Sequence, residues 1–198
     1  MKVLLTVLFC LSLPLVGADK KPLTKEESAK IIETAIRKAA KKPEGELTKA
    51  DLEKVTELNL NRSQLTDVKG LEKLTKLEEL RLHRNILTDL KGLEKLTQLT
   101  MLILNNNKLT DLKGLQNLTQ LEGLGLGGNQ LTDVKALEKL TQLTSLGLEI
   151  NQLTEVKGLE KLTRLAKLHL QKNKLTKAQI DELQKALPKC KIYSNPTK

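Results

Sequence analysis

Residues 122–129 read Glu-Gly-Leu-Gly-Leu-Gly-Gly-Asn, which sets Gly123, Gly125 and Gly128 in the spacing G-x-G-x-x-G. Between a strand and a long helix that spacing cradles a dinucleotide pyrophosphate, because glycine lets the backbone approach the phosphates and the helix N-terminus favours their charge. Other groups with chemistry are few. His83, His169, Cys10 and Cys190 are the soft or near-neutral titrating side chains, and no serine-based motif or paired-acid arrangement stands out. Whether the glycines hold a cofactor depends on the elements around them.

The chain has 198 residues, enough for one domain with a sizeable core. Its apolar share is 39% but its aromatic share only 1%, so leucine must fill that core, and such a skew points to a repeated template. A net charge of +10, from 34 basic and 24 acidic residues, permits nucleic acid, anionic lipid or acidic partners without choosing among them. Residues 1–18 differ from the rest: Lys2, an apolar run from Val3 to Leu13, and Val16-Gly17-Ala18 predict a signal peptide cleaved after Ala18. The run is too short to span a bilayer. The expected location is secreted or periplasmic. Without the signal, Cys190 is the remaining cysteine and Tyr193 the remaining aromatic, so stability must come from packing and not from an internal disulfide.

From Val55 the sequence recurs every 22 residues, with starts at Val55, Leu77, Leu99, Leu121, Leu143 and Leu165. The third copy, LTMLILNNNKLTDLKGLQNLTQ, shows leucines at positions 1, 4 and 6 and asparagine at position 9. Leucines at 4 and 6 alternate with polar or small residues, the pattern of a short strand with one inward face. Asn85, Asn107, Asn129, Asn151 and Asn173 occupy position 9, where a carboxamide can serve backbone donors and acceptors as the chain leaves the strand; Ser63 replaces it in the first copy. Leucines at three-residue spacing, such as Leu87, Leu90, Leu93 and Leu96, suit extended or 3₁₀ turns better than a long helix. The repeat resembles the 22-residue bacterial leucine-rich repeat of internalin-like proteins over residues 55–187. That resemblance implies an α/β fold: a right-handed solenoid with a parallel concave sheet, a 3₁₀ or extended convex side, and helical caps. Six strands at about 4.8 Å spacing predict a rod roughly 25–30 Å long.

Three capping boxes mark the ends. Thr24-Lys25-Glu26-Glu27 starts a helix with Ile31, Ile32, Ala35, Ile36 and Ala39 on one face; Pro43 and Gly45 break it. Thr48-Lys49-Ala50-Asp51 leads into the first strand, and Thr176-Lys177-Ala178-Gln179 starts a helix that runs to Leu187 before Pro188. Cys190 to Tyr193 predicts a last short strand, and LPKCKI resembles the ending usual in the family. The expected organisation is a signal peptide at 1–18, an N-terminal helical cap at 19–54, repeats at 55–176, and a C-terminal cap with tail at 177–198.

The repeat phase decides the candidate sites. Gly123, Gly125, Gly127 and Gly128 take outward positions 3, 5, 7 and 8 of the fourth copy, and LTDVKALEKL after them is no dinucleotide helix, so no cofactor is expected. His83 and His169, about 19 Å apart by strand spacing, cannot share a metal ion. The columns Asp67, Asp89, Asp111, Asp133 and Lys69, Lys91, Lys113, Lys135, Lys157 read as architecture and a solvated mixed-charge face. Single-strand nucleic acid binding would need stacking aromatics that are missing here.

The outward strand positions predict the binding face. Gly123, Gly125, Gly127 and Gly147 leave its middle stripped of side chains, with Met101 and Ile103 as an apolar wall. Arg81, His83, Arg84, Lys167 and His169 form basic rims, and the arginines are the expected anchors. The resemblance implies a non-enzymatic module, expected as a monomer, that binds protein or peptide on this concave face. Docking on anionic envelope polymer or lipid is the alternative that the charge leaves open.

Overall fold

The computed structural model describes residues 22–196, so the signal-peptide expectation lies outside the described residues. Seven three-residue strands form one parallel sheet in chain order: β1 Glu57–Asn59, β2 Glu79–Arg81, β3 Met101–Ile103, β4 Gly123–Gly125, β5 Ser145–Gly147, β6 Lys167–His169 and β7 Lys191–Tyr193. Register is strict, so that Leu58, Leu80, Leu102, Leu124, Leu146, Leu168 and Ile192 share one row. The leucines of that row are buried, as are the leucines of every turn behind them, and one continuous core runs the length of the solenoid. Each copy alone would expose its leucines, so stacking on neighbours supplies the burial.

The convex side turns through short 3₁₀ segments at Leu71–Lys73, Leu93–Lys95, Lys135–Leu137 and Leu159–Lys161. Ahead of three of them stands a glycine at φ near 100°, Gly70, Gly92 and Gly158, a conformation closed to side chains. Where Ala136 takes that place, the 3₁₀ segment starts two residues earlier in the repeat, after Val134 at φ −130°. The aspartate column is turn chemistry: Asp67, Asp89, Asp111 and Asp133 each accept the backbone N–H two residues on, from Lys69, Lys91, Lys113 and Lys135.

The asparagines tie copy to copy. Asn107 donates through Nδ2 to Leu104 O in its own repeat and to Leu82 O in the one before, and its Oδ1 accepts Leu87 N–H. Asn129, Asn151 and Asn173 repeat all three bonds one repeat further along each time. Asn85, at the start of the series, accepts from both Ser63 and Leu65 and donates to Leu60 O and Leu82 O, so the serine copy is tied in through its backbone without a carboxamide of its own.

Helices α1 (Lys25–Ala39) and α2 (Lys49–Leu52) close one end and α3 (Lys177–Ala186) the other, each with a complete capping box at Thr24, Thr48 or Thr176. In α1, Ile32 and Ile36 are buried and Ile31 and Ala35 partly so. Ala39 is exposed, contrary to the expected face, because the helix ends there and Ala40 turns inward instead. Asp51 accepts from Thr48 and pairs with Lys42 at 2.7 Å and Lys54 at 3.1 Å. Lys42 first, then Thr48 and Lys54, hold its carboxyl well below the usual carboxylate range.

Two predictions follow from these bonds. Asn107→Ala should cost about 2–3 kcal/mol in urea unfolding, since it strands the buried Leu87 N–H, whereas Asn173→Ala, part-exposed, should cost about 1–2 kcal/mol. Because the Asp51 carboxyl is depressed in the folded state, its contribution is full above the unfolded value near about 4 and fades as pH falls below it. Wild type should therefore lose more stability between about pH 5 and pH 2 than Asp51→Asn, as followed by thermal melts.

Candidate binding face

The sheet shows one face to the leucine core and leaves the other open. On the open face, outward position 3 reads Glu57, Glu79, Met101, Gly123, Ser145, Lys167 and Lys191 from β1 to β7. Position 5 reads Asn59, Arg81, Ile103, Gly125, Gly147, His169 and Tyr193. The face is thus acidic at its start, apolar and then bare in the middle, and basic at its end.

The glycine patch differs from the bare floor that the sequence predicts. Gly123, Gly125 and Gly127 are buried, because neighbours lean into the space that missing side chains leave. Met101 lies across Gly123, with its Cε 2.5 Å and its Sδ 2.6 Å from where a Cβ would stand. The Asn105 amide oxygen lies on Gly125, and the Glu149 carboxylate lies over Gly127 and within 3.1 Å of a Cβ position on Gly147. What remains is a depression of about 280 Å³ between Met101 and Ile103 on one side and Glu149 and His169 on the other. Met101 stays 37% exposed, an apolar side chain held at the rim.

The basic rims also differ in detail. Arg81 is not a free anchor: its guanidinium bonds the Glu79 carboxylate two residues away on the same strand, and that bond raises its proton affinity further. Arg84 stands off the sheet, exposed, in the turn after β2 at φ 56°. His83 is half-buried, with its backbone N–H on Asn61 Oδ1 and its Nδ1 3.5 Å from Asn106 Nδ2. On the far side Lys167 is exposed, and His169 stacks on Tyr193 at 4.5 Å between ring centroids, with Lys191 Nζ 4.9 Å from the Tyr193 centroid. The two histidines stand four strands apart. Cys190 is buried in the C-terminal cap, where burial raises its thiol above the ordinary range and keeps it protonated.

Sequence reading missed Glu149 as part of the depression. It sits at outward position 7, and the signal was available in the two glycines beside it, Gly127 and Gly147, which let a long side chain lie flat on the sheet. It also missed that position 8 is left-handed in every copy: Arg62, Arg84, Asn106, Gly128, Ile150 and Lys172 all have φ between 56° and 69°. The backbone enforces this, since the N–H of position 8 must reach the position 7 carbonyl of the next repeat, as from Gly128 to Glu149 and from Ile150 to Gln171. Gly128 and Asn106 suit that geometry, whereas the β-branched Ile150 is strained in it and is 50% exposed as well.

The family model for leucine-rich repeats, in two copies, matches residues 53–95 and 97–139. Among solved structures, an internalin (inlF) from Listeria monocytogenes is similar at 26% identity and a TM-score of 0.69, over 84% of this chain and 57% of that one. An internalin C2 of the same organism is similar at 26% identity and a TM-score of 0.62, over 83% of this chain and 84% of that one. A leucine-rich repeat protein of Leptospira interrogans shares 36% identity with a TM-score of 0.68, over 72% of this chain and 38% of that one. The chain therefore spans little more than half of the first internalin and well under half of the Leptospira protein. No curated protein matches it. Among the described residues no helix is long and apolar enough to cross a membrane.

Ile150→Asn should raise the urea midpoint by the equivalent of about 1 kcal/mol, because asparagine tolerates the left-handed region. Gly128→Ala should lower stability by a similar amount. An unchanged midpoint in both would mean that position 8 relaxes freely and that its conformation carries no strain.

Proposed function

Given a chain that is a leucine-rich repeat protein of bacterial, internalin-like type, we propose that it is a secreted or periplasmic module that binds protein or peptide on its concave face. The observation that carries this reading is the depression in the middle of an otherwise open sheet, with Met101 exposed at its rim. A parallel sheet with both faces covered would be only a core; here one face packs its leucines on the turns behind it, while the other has no covering element and carries varied side chains on a fixed lattice. Variation on a rigid scaffold is how a repeat protein selects a partner.

The residues proposed for the contact are Met101 and Ile103 as apolar wall, Gly123, Gly125, Gly127 and Gly147 as floor, and Lys167 and His169 as the basic side. Arg81 and His83 extend it toward β2, and Arg84 would touch only a partner that reaches past the strand ends. Aromatic anchors are scarce: Tyr193, already stacked on His169, is the one aromatic residue on the sheet. Affinity must therefore come from fit to the depression and from polar contacts.

Gly125→Arg is the direct test. Gly125 has an ordinary φ, and a Cβ there meets only the ends of the Asn105 and Ile103 side chains, so the fold should tolerate the change while the depression fills. In a crosslinking pull-down from the native envelope, the partner captured by wild type should fall about tenfold or more with Gly125→Arg and persist with Lys113→Glu on the convex side. Capture that survives Gly125→Arg but is lost with Lys113→Glu and in high salt would instead support docking of the basic surface on an anionic polymer or lipid.

A further inference from the structure

Glu149 enters the depression without a counter-charge. Its side chain has no ion-pair or hydrogen-bond partner among the described residues, although Lys172 follows one position along on the neighbouring repeat. The carboxylate turns inward and lies over Gly127 and Gly147, half-buried, on the floor between β4 and β5. Across from it, Asn105 rests its Oδ1 on Gly125, and that oxygen is buried with no donor. Both polar groups on the floor are therefore acceptors lacking a donor. A buried acceptor without a donor costs free energy, and a carboxylate removed from water costs more.

Met101 and Ile103 supply one wall, opposite Glu149 with Ser145 and the Tyr193-stacked His169, so the depression offers an apolar flank that ends at a carboxylate and an amide oxygen. The complementary group has an apolar stem and a head rich in donors. We propose that the depression receives an arginine side chain from a protein or peptide partner. Its stem lies along Met101 and Ile103, its guanidinium forks onto the Glu149 carboxylate, and a turn of the Asn105 amide gives a further N–H an acceptor. Arginine fits better than lysine, because its planar fork matches a carboxylate with two parallel bonds and still leaves donors for the amide. The weaker hydration of guanidinium also suits a half-buried floor. This rests on the concave-face reading and gives the partner its chemistry: a segment that displays arginine, in place of the acidic partner that the net charge alone would indicate.

The test uses a probe that needs no knowledge of the partner. Titration of ¹⁵N-labelled protein with N-acetyl-arginine methylamide should move the backbone amide signals of Gly123, Gly125, Gly127 and Gly147 saturably. The citrulline analogue, similar in shape but uncharged, should leave them in place, and the lysine analogue should bind severalfold more weakly. Glu149→Gln should abolish the response with the rest of the spectrum unchanged, while Glu155→Gln on the far side of the turn should preserve it. Absence of a saturable shift at these glycines, an equal response to citrulline, or a response intact in Glu149→Gln would overturn the proposal. Partner capture on the concave face together with no arginine response would leave the binding face standing and remove only its assigned occupant.

Discussion

One bonding pattern holds the solenoid in register, and it is the carboxamide at position 9. Each interior asparagine reaches the position 6 carbonyl of its own repeat and that of the repeat before, so every interior carbonyl of that row accepts from two asparagines: Leu82 O from Asn85 and Asn107, Leu104 O from Asn107 and Asn129. The row cannot slip by a residue without breaking three buried bonds in each copy. Strands of only three residues are too short to fix register by their own ladder, and the leucines are nearly interchangeable along the row. The asparagines supply the specificity that leucine packing lacks.

That fixed lattice is what makes the open face a surface with addresses. Because position 7 must present its carbonyl to the preceding repeat's position 8 N–H, the backbone there is set, and left-handed φ at position 8 follows whatever residue stands there. Arg84 is carried off the strand by this geometry, and Ile150 is held in a conformation that it resists. Side-chain identity on the open face is then free to vary without cost to the core. Glycine at four outward positions removes side chains at β4 and β5, and longer neighbours from β3 and β5 lie down into the space.

The inward residues were legible in the sequence because they repeat. Leucine spacing and the asparagine column appear with a period of 22, so one copy informs the next, while the three capping boxes are legible as local four-residue signatures. The open face was legible only in position. Periodicity identifies that Gly125 points outward, but not that Asn105 from the neighbouring strand would cover it, or that Glu79 would occupy Arg81. Those contacts run between residues at 20 or more positions' remove or depend on rotamers, and each pair occurs once. The exchange of Gly for Ala136 shows the same limit, since a single methyl shifts a 3₁₀ turn by two residues and leaves the repeat pattern intact.

The charge of the chain and the charge of its depression point in opposite directions, and the depression has the stronger claim on specificity. Most lysines are exposed on turns or caps, where long, hydrated side chains and salt screen their attraction to any anion within about 8–10 Å. Glu149 is half-buried on a glycine floor, where fewer waters and weaker screening make a single fitted cation count for more than several exposed ones. A strongly basic chain can thus attract an anionic surface that comes within a screening length and still choose a cationic side chain at contact. The first is a property of composition. The second exists only because two glycines let one carboxylate lie flat against the sheet.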